Sequence, residues 1–347
     1  MVMICYINNF IILQVIHIIC FFLSHFSRLP ILLYFISSLF IFFMIYKNVL
    51  DLIGNTPIVE LSKSIHNTNN RLLAKLEYFN PTHSLKDRIG YAMIKNAEKK
   101  GLLKKGMTIV EPTSGNTGVA LAYASSVLGY RFVLVMPEHM TEERKKLAKY
   151  LGAELVLTPK AKGVKGSVEE AYKIAKEQNG IVLDQFKNPA NFQTQYEVLG
   201  KELFTQTEDG IDILVGGVGT GGSLTGASAY LKEHSKKSVY AVAVEPIEVD
   251  VLEGGTKTGP HAIQGIAPGF KPDNYKDKFV DEIFHITKEQ AFETTKMLAK
   301  KAGIVGGISA GAAGFAALEK AKQVENKTIL FIVPDFAERY ISNPLFD

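Results

Sequence analysis

The chain has no tryptophan, and its only two cysteines, Cys5 and Cys20, fall within the first twenty of 347 residues. From residue 21 onward no disulfide framework, thiolate metal site or cysteine nucleophile is available. An excess of either charge is missing too: the formal net charge is +4, with no arginine-rich or aromatic-basic stretch, which argues against a nucleic-acid partner. His66, His83, His139, His234 and His285 are scattered without metal-ligand spacing, so no metal is expected. Internal repeats and low-complexity stretches are absent beyond residue 46. What the length does allow is two α/β domains, each with a real core.

Residues 1–46 do not match the rest. Phe10 to Phe26 and Ile31 to Tyr46 are two apolar runs split by Ser27-Arg28-Leu29-Pro30. Each is close to the ~18 residues of a membrane helix. The segment reads as a membrane anchor, either a hairpin or a signal-anchor, or as an upstream extension foreign to the working protein. A cleavable signal peptide fits poorly, since a basic start and a small-residue cleavage site are both missing. Met44-Ile45-Tyr46-Lys47 would be a natural beginning for the globular part of the chain.

After residue 46 strands alternate with helices, which predicts parallel sheets covered on both faces. Expected strands are Ile58–Leu61, Arg71–Glu77, Thr108–Glu111, Arg131–Met136, Glu154–Leu157, Ile181–Leu183, Ile211–Val215, Val239–Val244 and Thr328–Val333. Helices are expected from Lys86, over Val119–Gly129, from a Thr141 cap to Leu151, and over Ser167–Gln178, Gln193–Phe204, Leu224–Glu233 and Thr287–Ala302. Pro334 to Tyr340 reads as a tail.

Chemistry concentrates first at Asn80-Pro81-Thr82-His83-Ser84-Leu85-Lys86-Asp87-Arg88. Ser84 can cap a helix whose first turn contains Lys86, where the positive end of the dipole and any desolvation favour the neutral amine. A neutral lysine suits a Schiff base with a carbonyl cofactor, although alone it reads more simply as a surface lysine. Next, Thr113-Ser114-Gly115-Asn116-Thr117-Gly118 joins a strand to a helix and can receive a carboxylate on backbone N–H groups and hydroxyls. Read alone, it is an ordinary βα turn. Gln185-Phe186-Lys187-Asn188-Pro189-Ala190-Asn191 follows a strand, where open α/β sheets place ligand-binding residues.

Gly217, Gly219 and Gly222 fit G-x-G-x-x-G, with Glu245 at the end of the next strand, so a dinucleotide site is one reading. Thr220 and Ser223 add hydroxyls that suit a compact phosphomonoester instead. Pro260 to Phe270 is a Gly/Pro-rich stretch that reads as a surface loop or as a cleft lining in which Gly265 lets backbone approach a ligand. His261, within it, is expected to be structural. Gly303 to Ala313 packs small residues around one hydroxyl, Ser309, before another helix.

With these pieces in order, residues 47–347 resemble the cysteine synthases (O-acetylserine sulfhydrylases), pyridoxal-phosphate enzymes of fold type II. The motifs are Leu-Ile-Gly-Asn-Thr-Pro at 52–57, Ser-Leu-Lys-Asp-Arg at 84–88 and Thr-Ser-Gly-Asn-Thr-Gly at 113–118. Gln-Phe-Lys-Asn-Pro-Ala-Asn at 185–191, Gly-Thr-Gly-Gly-Ser at 219–223, Gln-Gly-Ile at 264–266 and Gly-Ile-Ser at 307–309 complete them. The resemblance implies two open twisted-sheet α/β domains with pyridoxal 5'-phosphate in the cleft between them, as in tryptophan synthase β-subunits. The first domain would span 80–190, the second 47–79 plus 191–347.

By the same resemblance Lys86 would carry the cofactor and act as general base. Gly219, Thr220, Gly221, Gly222 and Ser223 would hold its phosphate, Asn116 its ring hydroxyl and Ser309 its pyridine nitrogen. Thr113, Ser114, Gly115, Asn116, Thr117, Gln185 and Gly265 would receive the substrate. The implied reaction replaces the acetyl group of O-acetyl-L-serine by sulfide, giving L-cysteine and acetate. Cystathionine β-synthase and O-phosphoserine sulfhydrylase activities are alternatives on the same scaffold, and an NAD-dependent oxidoreductase a remote one. A homodimer, a serine acetyltransferase complex and a cytoplasmic catalytic part are also implied. Several positions depart from the family pattern: His83 replaces a smaller residue, Ser223 a threonine, Glu253 a small residue, and Gln195 to Gly200 lacks a usual histidine and hydroxyl pair.

Overall fold

The computed structural model describes residues 45–140, 142–208 and 210–346. Both apolar runs, and the expected cap Thr141, lie outside these residues or almost so. Among the described residues no helix is long and apolar enough to cross a membrane.

Among the described residues ten strands form two sheets. They are β1 (Ile58–Glu60), β2 (Arg71–Leu76), β3 (Thr108–Pro112), β4 (Arg131–Pro137), β5 (Glu154–Thr158), β6 (Gly180–Val182), β7 (Ile213–Gly217), β8 (Tyr240–Pro246), β9 (Glu282–Ile286) and β10 (Thr328–Val333). One sheet has the order β5-β4-β3-β6, and all its pairs are parallel. The other runs β1-β2-β10-β7-β8-β9 and is parallel except at β1. The expected α/β class with two sheets is therefore present.

The helices are α1 (Lys63–His66), α2 (Lys86–Lys99), α3 (Asn116–Leu128), α4 (Glu142–Tyr150), α5 (Gly163–Glu177), α6 (Pro189–Thr194), α7 (Lys201–Gln206), α8 (Gly222–His234), α9 (Lys288–Ala302) and α10 (Ile308–Ala321). A π-helical turn over Gln195–Gly200 joins α6 to α7, so this helix is longer at both ends than expected. The reason is close packing on α8: a Cβ at Gly200 would lie 2.5 Å from Tyr230 Cβ, and one at Gly226 would lie 2.8 Å from the Phe192 carbonyl.

Both sheets have a core on each face, as the apolar runs require. Along β10, Ile329, Phe331 and Val333 join the cluster under α9 and α10. Leu330 and Ile332 join the opposite cluster with Leu224, Ala227 and Leu231 of α8. In the smaller sheet Ile109, Phe132 and Leu134 pack with Ile89 and Leu121, while Val110, Val133 and Val135 face Ala171 of α5. Strand β9 has no counterpart among the expected strands. It is a partly exposed edge of mixed polarity, hydrogen-bonded to β8 alone, and its sequence carries little of the β10 signal.

A buried ion-pair network joins β2, the turn after it and α7 to the lysine helix. Arg88 Nε and Nη2 donate to the two Glu77 oxygens at 2.7 and 2.8 Å, and Nη1 and Nη2 to those of Glu202 at 2.8 and 2.7 Å. Lys75 Nζ donates to Glu202 at 3.1 Å and to the Thr56 carbonyl at 2.7 Å. Thr56 Oγ1 and Asn80 Nδ2 complete the shell of Glu77 at 2.7 and 3.0 Å. Burial pushes the Glu77 carboxyl up, but Arg88, Lys75 and the Thr56 hydrogen bond together outweigh it and hold Glu77 below the usual carboxylate range.

Candidate active site

Lys86 is the first residue of α2. Ser84 supports that start, accepting the Lys86 N–H on its hydroxyl at 3.1 Å, while the N-cap position itself is Leu85. The stretch is pinned from outside: Leu85 N donates to the Pro334 carbonyl at 2.8 Å, and Ser84 forms an antiparallel bridge with Asp335. Burial pushes the Lys86 amine below the ordinary lysine value, against the pull of the Asp335 and Glu77 carboxylates.

Asn116, Gly219, Thr220, Gly221, Ser223, Gly265 and Ser309 line the same pocket as Lys86. Thr113, Ser114, Gly115, Thr117 and Gln185 line the cleft that continues from it, about 800 Å³ in volume, which Lys86 and Asn116 also reach. Of the candidate site residues only Gly222 is absent from these walls. It starts α8 behind them, where a Cβ would fall 2.2 Å from Asn191 Oδ1.

The glycine loop is shaped for an anion. It ends β7 and enters the 13-residue helix α8 through Gly221, whose φ of +85° is open to glycine at little cost. A Cβ there would lie 2.5 Å from Tyr275 N, and one on Gly219 would lie 2.4 Å from the Gly265 carbonyl. Without side chains, the backbone N–H groups stay at a positive helix end. Asn191 Nδ2 donates to Thr220 Oγ1 at 2.9 Å and to the Gln185 carbonyl at 2.8 Å, tying the loop to the other wall. Glu245 lies within β8 at 1% exposure, burial pushing its carboxyl up, so it is not offered to a ribose.

On the other wall Thr117 Oγ1 donates to Gln185 Oε1 at 2.6 Å, which leaves the amide's N–H groups as the donors toward a ligand. Glu111, under this loop, accepts the backbone N–H groups of Asp184 and Gln185 at 3.0 Å each. Burial pushes the Glu111 carboxyl up to about 7. The folded state thus resists its ionisation, and this contribution to stability is full below about pH 4.5 and lost as pH rises to about 7. Glu111→Gln should remove the dependence. Relative to the wild type, the variant should gain about 2–3 kcal/mol between pH 5 and pH 8 in denaturant unfolding. A constant difference would show that Glu111 ionises normally.

The segment after β10 is no tail. Asn116 Nδ2 donates to Asp335 Oδ2 at 2.7 Å, and its Oδ1 accepts from Arg339 Nη1 at 2.9 Å. A carboxylate at one end and a guanidinium at the other permit a single amide orientation. Tyr340 hydroxyl donates to Asp335 Oδ2 at 2.6 Å, and Gly307 N to the Asp335 carbonyl at 3.1 Å. Asp335 therefore touches the segments of Lys86, Asn116 and Ser309 together. Sequence reasoning missed it, although a polar residue just past a parallel strand's C-terminal end was a usable signal. Arg144 was missed too; its Nη1 donates to the Ser114 carbonyl at 2.9 Å and its Nη2 to Gln264 Oε1 at 2.8 Å, linking the walls. His261 Nε2 donates to the Ala267 carbonyl at 3.0 Å, a structural contact.

These residues suit a phosphorylated aldehyde with an aromatic ring: a depressed lysine, a glycine-rich anion loop carrying the Thr220 and Ser223 hydroxyls, and the Ser309 hydroxyl at a helix start. Comparison with known proteins agrees. Residues 49–335 match the family described as pyridoxal-phosphate dependent enzyme. Cysteine synthase A of Escherichia coli K12 is 46% identical over 304 residues, 85% of this chain and 93% of that protein. Cysteine synthase of Staphylococcus aureus is 43% identical, covering 86% of this chain and 96% of its own. The crystal structure of cysteine synthase from Entamoeba histolytica superposes with a TM-score of 0.83 at 45% identity, over 87% of this chain and 91% of that one. The chain belongs to the pyridoxal-phosphate-dependent enzymes, among their cysteine synthases.

Proposed function

We propose that the protein is a cysteine synthase that exchanges the acetyl group of O-acetyl-L-serine for sulfide, releasing L-cysteine and acetate. The observation that carries the reading is the convergence of a depressed Lys86 amine, the Gly219–Ser223 loop and the Thr113–Thr117 loop on one cleft. Pyridoxal phosphate, when bound, supplies the electron sink that makes the substrate α-proton removable.

Lys86 would hold the cofactor, Gly219, Thr220, Gly221, Gly222 and Ser223 its phosphate, and Ser309 its ring nitrogen. A serine hydroxyl there leaves the nitrogen largely neutral, which suits a reaction whose leaving group departs promptly. Asn116 spends one Nδ2 hydrogen on Asp335 and keeps the other for the cofactor's ring hydroxyl or the substrate. Thr113, Ser114, Gly115, Thr117 and Gln185 would bind the substrate carboxylate, with Gly265 backbone opposite. Lys86 Nζ takes the α-proton and, after acetate has left and sulfide has added at the β-carbon, returns it. Residues 80–190 would form one domain and 47–79 with 191–347 the other, closing to exclude water. A homodimer, a serine acetyltransferase complex and a cytoplasmic catalytic part belong to the same reading.

The test is the visible spectrum of the full chain supplied with cofactor. A visible band that changes with O-acetylserine and recovers with sulfide, cysteine accumulating, is the expected result. Lys86→Ala should lose the band and at least about 10³-fold of the activity. Cystathionine formation from serine and homocysteine at a higher rate would move the protein to that alternative. The absence of any visible band, together with NADH binding, would overturn the reading.

A further inference from the structure

Asp335 is a buried carboxylate, 2% exposed, that shares a pocket wall with Lys86. Its Oδ2 already accepts from Asn116 and Tyr340, while its Oδ1 is buried with no hydrogen-bond partner among the described residues. Room is made for that second oxygen: a Cβ on Gly307 would fall 2.2 Å from it. The backbone bridge to Ser84 and the Leu85–Pro334 hydrogen bond keep Asp335 beside the lysine segment.

We propose that Asp335 is a positioning residue of this site, fixing the Asn116 amide and serving as counter-charge to the Lys86 amine whenever that amine is unbonded. No second carboxylate lines the cleft among the described residues; the other titratable groups on its walls are His139, Arg144, His261 and Tyr340. Glu77, the remaining acid that acts on Lys86, is engaged by Arg88. Arg339 faces Asp335 only across Asn116. The proposal rests on Lys86 being the cofactor lysine.

The experiment follows the rate at which the full chain, freed of cofactor, recaptures pyridoxal 5'-phosphate across the pH range. Only the neutral amine captures the aldehyde, so the rate reports the Lys86 titration. Asp335→Asn keeps an acceptor for Asn116 and removes the charge. It should move the midpoint down by about one unit, a roughly tenfold faster capture below the midpoint. An unchanged midpoint would overturn the proposal. Asp335→Ser gives the same reading should the asparagine variant not fold. Lys86→Ala separates the two failures: undiminished covalent capture in that variant would sink the Lys86 assignment, whereas capture lost there but unmoved in Asp335→Asn would sink the Asp335 role alone.

Discussion

Arg88→Ala should cost about 3–5 kcal/mol of stability, measured by denaturant unfolding, without any change in the residues that line the cleft. The guanidinium and the Glu77 carboxylate are at 1% and 0% side-chain exposure, with paired hydrogen bonds between them. Removing the cation leaves Glu77 buried with Thr56 and Asn80 as partners, and Glu202 with Lys75. Desolvation of an unpaired carboxylate then dominates, because water does not reach it. Arg88→Lys keeps the charge and loses the fork that meets Glu77 and Glu202 together, so it should recover only part of the loss. A loss below about 1 kcal/mol for Arg88→Ala, the range of exposed pairs, would show that water enters the network.

Gly221→Ala should strip the protein of cofactor and destabilise it by about 3 kcal/mol. Two independent penalties add. The backbone sits at φ +85°, which an L-residue adopts only with strain, and the new methyl would lie 2.5 Å from Tyr275 N and 2.6 Å from Tyr275 Cα. Backbone cannot swing aside as a side chain can, so either the Tyr275 segment or the loop must shift. Both shifts move the N–H groups at the start of α8. Cofactor retained on dialysis, together with the melting temperature, reads the two effects separately. A variant that keeps its cofactor as tightly as the wild type would show that the loop does not hold the phosphate.

How much of this was visible in the residues depends on their physics. The two-sheet α/β class came from alternation and from uninterrupted apolar runs such as Thr328–Val333, a strand buried at every position. The Lys86, Thr113–Thr117 and Gly219–Ser223 segments were legible because local chemistry, glycine and hydroxyl at a strand-to-helix turn, marks them. The ion-pair network was not. Arg88 meets Glu202 across 114 residues, and nothing near either residue announces the other. Asp335 was hidden differently: one acid after a proline looks like a chain end until the sheet brings Lys86, Asn116 and Ser309 around it. Strand β9 escaped because an edge strand needs no apolar run, and the π-helical turn because Gly200 and Gly226 reveal close packing only once their helices meet.

The sheet order carries a consequence for how the protein is made. The last strand in sequence, β10, sits between β2 and β7, pairing Ile329 with Leu72 on one side and Ile213 on the other. A nascent chain emerging from the ribosome therefore holds two half-sheets with a missing rung until residues 328–333 arrive. The next two residues, Pro334 and Asp335, then seat the lysine segment made some 250 residues earlier. The smaller sheet, continuous from β3 to β6, can assemble well before that moment. Completion of the larger sheet and seating of the lysine segment are thus one event, and until it happens the loops carried by the smaller sheet can be in place while Lys86 lacks its support.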